Sequence, residues 1–146
     1  MIPLAGHPAT ADLLTRAAKG DVDAQAALVD HAYGMFAEGQ VTFAHAVQVA
    51  EAWARLAAVH RRSRDLLVLA GVLMHSAQVS HDAGDEDTHL DHVCESVFVL
   101  DDLVDQGFAP ALQGLTLAAE TLGEDTMRKV RARFRSQKPQ AEEGED

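Results

Sequence analysis

The sequence predicts an all-α fold of about seven helices arranged in antiparallel pairs. Three observations lead there. Apolar residues recur at spacings of three and four over long windows, the period of one buried helix face. Only four Pro and ten Gly interrupt 146 residues, and they fall between those windows more often than inside them. Aromatic residues make up 5% of a chain rich in Ala, Leu and Val, a mixture that packs helices closely more readily than it fills a β-sandwich. A hydrophobic fraction of 47% and a charged fraction of 24% are those of an ordinary globular protein, and the length suits one core. One helical domain is expected over residues 1–136, followed by a disordered acidic tail at 137–146.

Each element has its own signals. Thr10 is the expected N-cap of a first helix over about Ala11 to Lys19, with Leu13, Leu14 and Ala17 inward and Gly20 past its end. Asp21 caps a second, about Val22 to Glu38, closed at Gly39. Thr42 caps a third that runs to about His60, with Ala46, Val49, Ala50, Trp53, Leu56 and Ala57 inward, and Arg61 and Arg62 suit the negative end of its dipole. Ser63 is the expected cap of a fourth, about Arg64 to Ser80. Its LLVLAGVLM run is apolar nearly all round, so this helix should be deeply buried. His81 to Asp87 reads as a solvated loop with four acids, before a fifth helix from about Thr88 to Gln106 with Leu90, Val93, Val97, Leu100 and Val104 inward. Pro110 opens a sixth that Gly123 ends, and a seventh, about Glu124 to Ser136, presents Met127, Val130 and Phe134 on one side.

Two windows superpose: Gly20, Ala24 and Leu28 match Gly107, Ala111 and Leu115, each at intervals of four. Ala57 and Ala58 follow Ala17 and Ala18 by 40 residues, and Leu103 and Val104 follow by 46 more, a period that suits one helix pair. With the turn Glu38-Gly39-Gln40-Val41 and the second-helix pattern Ala50, Trp53, Ala57, Ala58, the chain resembles a divergent member of the Sel-one-like repeat proteins, relatives of the tetratricopeptide repeat. The resemblance covers residues 17–60 and, in part, 103–119. In the middle unit Asp65 stands where a small residue is expected and Val99 replaces the Trp. The resemblance implies an α/α superhelical array whose groove binds a peptide or protein surface without catalysis, and in which Trp53 fills the gap between neighbouring repeats. A plain helical bundle is the alternative architecture.

The net charge of -11 is unevenly spread. Residues 1–126 carry 19 acids against six bases, residues 127–139 six bases and no acid, and residues 140–146 four acids. From Asp65 to Met127 there are 13 acids and no Lys or Arg. Such a surface repels phosphate backbones and anionic lipid, which disfavours nucleic-acid and membrane partners and favours cationic ones. In the basic segment Met127, Val130 and Phe134 are expected to dock a terminal helix whose cations face the acidic body. Cys94 is the single cysteine, so intrachain disulfides are excluded; with no apolar run of membrane-spanning length, the expected compartment is the cytoplasm.

No Gly-rich phosphate loop, G-x-S-x-G elbow or H-E-x-x-H appears, so no catalytic residues and no cofactor are expected. Glu86, His89, His92 and Glu95 recur at intervals of three, so four ligand-type side chains are candidates for one metal-holding face, with His75 and His81 on the facing helix. The acids around Cys94 raise a thiol's pKa, which makes it a structural rather than a nucleophilic cysteine. The expected function is therefore a non-catalytic adaptor that receives a basic or amphipathic segment of a protein partner. Its candidate contact residues are Asp91, Asp101, Asp102 and Asp105 on the acidic side, with Tyr33 and Phe36 as apolar anchors. A dedicated chaperone or anti-activator, a metal-binding helical protein built on His89, His92 and Glu95, and a homodimer are the alternatives.

Overall fold

The computed structural model describes residues 8–137, and side-chain caps set three of its helix starts. Asp21 accepts from the Ala24 amide at 3.1 Å and opens α2, Val22–Ala37; Thr42 accepts from the His45 amide at 3.1 Å and opens α3, Phe43–Ala58. Asp85 accepts from both the amide and the hydroxyl of Thr88 and opens α5, Glu86–Asp105. The other helices are α1, Pro8–Ala18; α4, Ser63–Asp82; and α6, Pro110–Gln137. All described elements are helical, and no helix among them is long and apolar enough to cross a membrane. Gln137 lies in α6, not in the expected tail, and residues 138–146 fall outside the described residues, as do 1–7.

Six helices replace the expected seven because the last two form one element, interrupted at Gly123, where φ 83° and ψ 170° are non-helical. This break is the expected boundary, but no separate loop follows it. The start of α1 moves back to Pro8, which a first turn tolerates, so Thr10 is buried inside the helix and does not cap it. At α4 the cap is Arg62, not Ser63, and no side chain accepts there. The Arg62 guanidinium instead reaches Asp65, 3% exposed, at 2.5 Å in the first turn, and Arg61 adopts a left-handed φ of 62° to make the connection. The acidic loop shrinks to Ala83–Asp85: His81 and Asp82 finish α4, while Glu86 and Asp87 occupy the first turn of α5, where the helix dipole favours acids.

Each helix packs chiefly on the ones before and after it in the chain. The central cluster joins Val29 and Ala32 of α2, Ala50, Ala54 and Ala58 of α3, Leu66, Leu69 and Leu73 of α4, Leu100 and Leu103 of α5, and Ala111 of α6. A second joins Ala77, Val93, Cys94, Val97 and Val130, and a third joins Ala17, Ala24 and Leu28. The buried face of α3 is rotated from the expected one. Val47 and Ala54 are buried while Leu56 is 48% exposed, because a face of Ala46, Ala50, Ala54, Ala57 and Ala58 lets the neighbouring helices approach closely. Trp53 is half-buried and packs on both the central and the α1–α2 clusters. Two buried side chains tie adjacent helices to each other's backbone: Gln25 donates to the Ala17 carbonyl at 3.1 Å and Ser96 to the Ala70 carbonyl at 2.7 Å. Within α6, Gly114 faces Leu100 so closely that an added Cβ would meet its Cδ2 at 2.9 Å.

Candidate functional site

The polar side chains that face one another across α3, α4 and α5 form one network. Glu51 on α3 accepts from the Ser76 hydroxyl of α4 at 2.5 Å and from the Arg55 guanidinium one turn on at 3.0 Å. Arg55 reaches on to α5 and holds both carboxylate oxygens of Glu95, at 2.6 and 2.8 Å, the bidentate geometry that a planar guanidinium favours. These hydrogen bonds to Glu95 raise the Arg55 pKa against the opposing effect of burial. His92, also on α5, stands with Nε2 3.5 Å from Glu51, and its buried Nδ1 has no hydrogen-bond partner. Beside the network lies a cleft of about 450 Å³ lined by Glu51, Ser76 and His92 together with His45 and Gln48.

Burial pushes the Glu51 carboxyl up, but hydrogen bonds from Ser76 and Arg55, with the charges of Arg55 and His92, outweigh it and hold the pKa below 4.5. A carboxyl whose folded pKa is depressed contributes stability above its unfolded value, and that contribution is lost as pH falls through the folded value. The Glu51→Gln variant should therefore be less stable than the parent at neutral pH, with the difference shrinking below about pH 4.5. Thermal melts from pH 3 to 7 measure it; a difference that stays constant over that range contradicts the assignment.

The expected metal face does not assemble. Glu95 is committed to Arg55, His92 turns toward Glu51, Glu86 accepts from His81 Nδ1 at 2.7 Å, and His89 Nδ1 donates to the Ala77 carbonyl at 2.7 Å. A spacing of three along α5 places these groups on one broad face, but each finds a partner on a different neighbour. Among the described residues no group of three or more His, Cys, Asp or Glu converges as a metal site.

The acidic contact residues are partly neutralised from within. Asp91 pairs with Arg133 of α6, so a cation of the terminal helix does face the acidic body. Asp102 lies 3.5 Å from Arg61 and also accepts from Gln106, Asp101 is half-buried and engaged as well, and Asp105 is exposed. Tyr33 and Phe36 enter an aromatic chain, but by different contacts. The Tyr33 hydroxyl bonds His75 Nδ1 at 2.6 Å, and Phe36, 42% exposed, meets Phe43 edge-on, which in turn meets His75. Burial pushes the Tyr33 phenol up to about 12 and the His75 imidazole down, so both are neutral near pH 7. Cys94 is 4% exposed, and burial raises its thiol pKa.

Sequence reasoning missed Glu51, Arg55 and Ser76, although Glu51 and Arg55 stand four apart, the spacing of a helical ion pair. It also missed the outer side of α6. Leu112 and Leu117 are 58% and 64% exposed there, and with Leu67 of α4 they line an open groove of about 950 Å³ that Glu120 borders. No family model, curated protein or solved structure matches the chain, so these surfaces carry the functional reading by themselves.

Proposed function

We propose that the protein is a non-catalytic α/α-array module that holds a basic, amphipathic segment of a partner protein in the groove along α6. The observation that carries this reading is the exposure of Leu112 and Leu117 together in one apolar depression. Large apolar side chains left in water over a concave surface are what an apolar helix face of a partner would cover. Charge supports a cationic occupant through Glu120, the one charged residue that lines the groove.

The array half of the reading draws on two supports. Helices pack on their sequence neighbours, as stacked repeat units do. The matched windows also share local structure: Gly20 and Gly107 both adopt left-handed φ, 97° and 87°, and Ala24 and Ala111 are both buried. The resemblance to Sel-one-like repeats is part of this proposal.

The test uses two fluorescent helical peptides with the same leucine face, one with lysines and one with glutamates on the polar face. Anisotropy should show binding of the lysine peptide that weakens with salt and falls at least tenfold in the Leu112→Ser, Leu117→Ser double variant. Equal binding of both peptides, no binding, or binding untouched by the substitutions overturns the reading. So does light scattering that shows a dimer dissociated by the same substitutions, which would give the groove to a second copy.

A further inference from the structure

We propose that His81 and His89 form a two-histidine site for a divalent transition-metal ion where α4 turns into α5. The two imidazoles come from opposite sides of the short Ala83–Asp85 connection, His81 in the last turn of α4 and His89 in the first turns of α5. Each ring has its Nδ1 spoken for by a group that can only accept. His81 Nδ1 meets the Glu86 carboxylate at 2.7 Å, and His89 Nδ1 meets the Ala77 backbone carbonyl at 2.7 Å. A carboxylate and a carbonyl offer no proton, so both Nδ1 atoms carry one, and in the neutral imidazole the lone pair then lies on Nε2. Metal-binding histidines are oriented in this way, one nitrogen donating to a carboxylate or carbonyl and the other facing the ion. Among the described residues, neither Nε2 has a protein partner.

Ring spacing adds an independent argument. The centroids stand 5.3 Å apart. Two imidazoles that share one tetrahedral ion at usual Zn–N lengths place their ring centres about 5 Å apart. Both rings line a single cavity of about 560 Å³ between α4, α5 and α6, along with Glu86, Asp87 and Lys129, so there is space for water to complete the coordination, and the two acids outweigh the one cation in the lining. The protein supplies two ligands and no third is required of it. Imidazole nitrogens suit copper, nickel and zinc, with Cu²⁺ held most tightly of these. His89 belongs to the metal-holding face expected along α5 and His81 to the facing helix expected beside it, whereas His92 and Glu95 take no part.

Calorimetric titration of the full chain with CuCl₂, NiCl₂ and ZnCl₂ at pH 7.5 tests the site. One ion per chain is expected, Cu²⁺ tightest, with affinity falling at least tenfold in His81→Ala and in His89→Ala. It should fall about ten- to a hundredfold in Glu86→Ala, where the positioning acceptor of His81 is lost. His60→Ala, an exposed histidine on another turn, should leave binding unchanged. His81 is exposed, so its substitution leaves the core intact and separates lost coordination from lost folding. Nitrogen shifts of the Zn²⁺-loaded protein should show coordination at Nε2 of these two rings. No binding of any of the three ions, binding that survives both histidine substitutions, or coordination at Nδ1 overturns the proposal.

Discussion

Replacing Leu103 with alanine should lower the stability of the folded chain by about 2–5 kcal/mol, the usual cost of emptying a leucine site in a packed core. Leu103 is fully buried, and it belongs to the central cluster at which Leu73 of α4, Leu100 of α5 and Ala111 of α6 also converge. The cost is therefore the lost transfer energy plus a cavity that three helices cannot collapse together. Urea unfolding followed by circular dichroism should show a lower midpoint with an unchanged slope, which marks a change in stability and not in the surface exposed. Leu112→Ala is the matched control, the same deletion on a side chain that is 58% exposed, and should change stability by no more than about 0.5 kcal/mol. Equal effects at the two positions would contradict the burial pattern.

Gly123→Ala should cost about 1–3 kcal/mol for a purely conformational reason. At φ 83° and ψ 170° the backbone occupies a region open in practice to glycine alone, and nothing lies within 4 Å of an added Cβ, so no clash contributes. The kink redirects α6. Before it, Ala111 packs in the central cluster; after it, Val130 enters the second cluster and Phe134 stacks on Phe98 with centroids 3.7 Å apart. An alanine that straightened the helix would draw Val130 and Phe134 off α5. The variant should thus show both a lower unfolding midpoint and loss of near-ultraviolet dichroism from the stacked rings. Alanine at exposed Gly34, which lies inside α2 and outside the left-handed region, should stabilise slightly by helix propensity. If Gly123→Ala behaved like Gly34→Ala, the kink would not be a structural requirement.

The helical class was legible because period, caps and glycine punctuation all act locally. Asp21 and Thr42 cap as their side-chain chemistry demands, and the break at Gly123 was visible as a glycine between two apolar windows. Errors arose wherever a partner distant in sequence decided. Ser63 looks like a cap, yet Arg62 takes that place, bonded to Asp65 and to Asp23 some 39 residues away. Leu56 fits a helical stripe as well as Val47 does, and only the position of the adjoining helices chooses between them. Ligand-type residues at intervals of three suggested one metal face, but Arg55, 40 residues from Glu95, claims that carboxylate. Charge was misread for the same reason. A sequence sum counts Asp91 and Asp102 as surface acids, while the fold sets Arg133 and Arg61 against them.

The neighbour-by-neighbour packing of the helices has a consequence for how the chain reaches this state. Few contacts must wait for the far end of the polypeptide, so each step closes a short loop at low entropic cost, the regime in which helical proteins fold in microseconds to milliseconds. On a ribosome, α1 through α3 can settle against one another while later segments are still being made. The cationic second half of α6, whose Val130 and Phe134 seat on α5, then arrives after the other described helices and closes the second core cluster over Cys94.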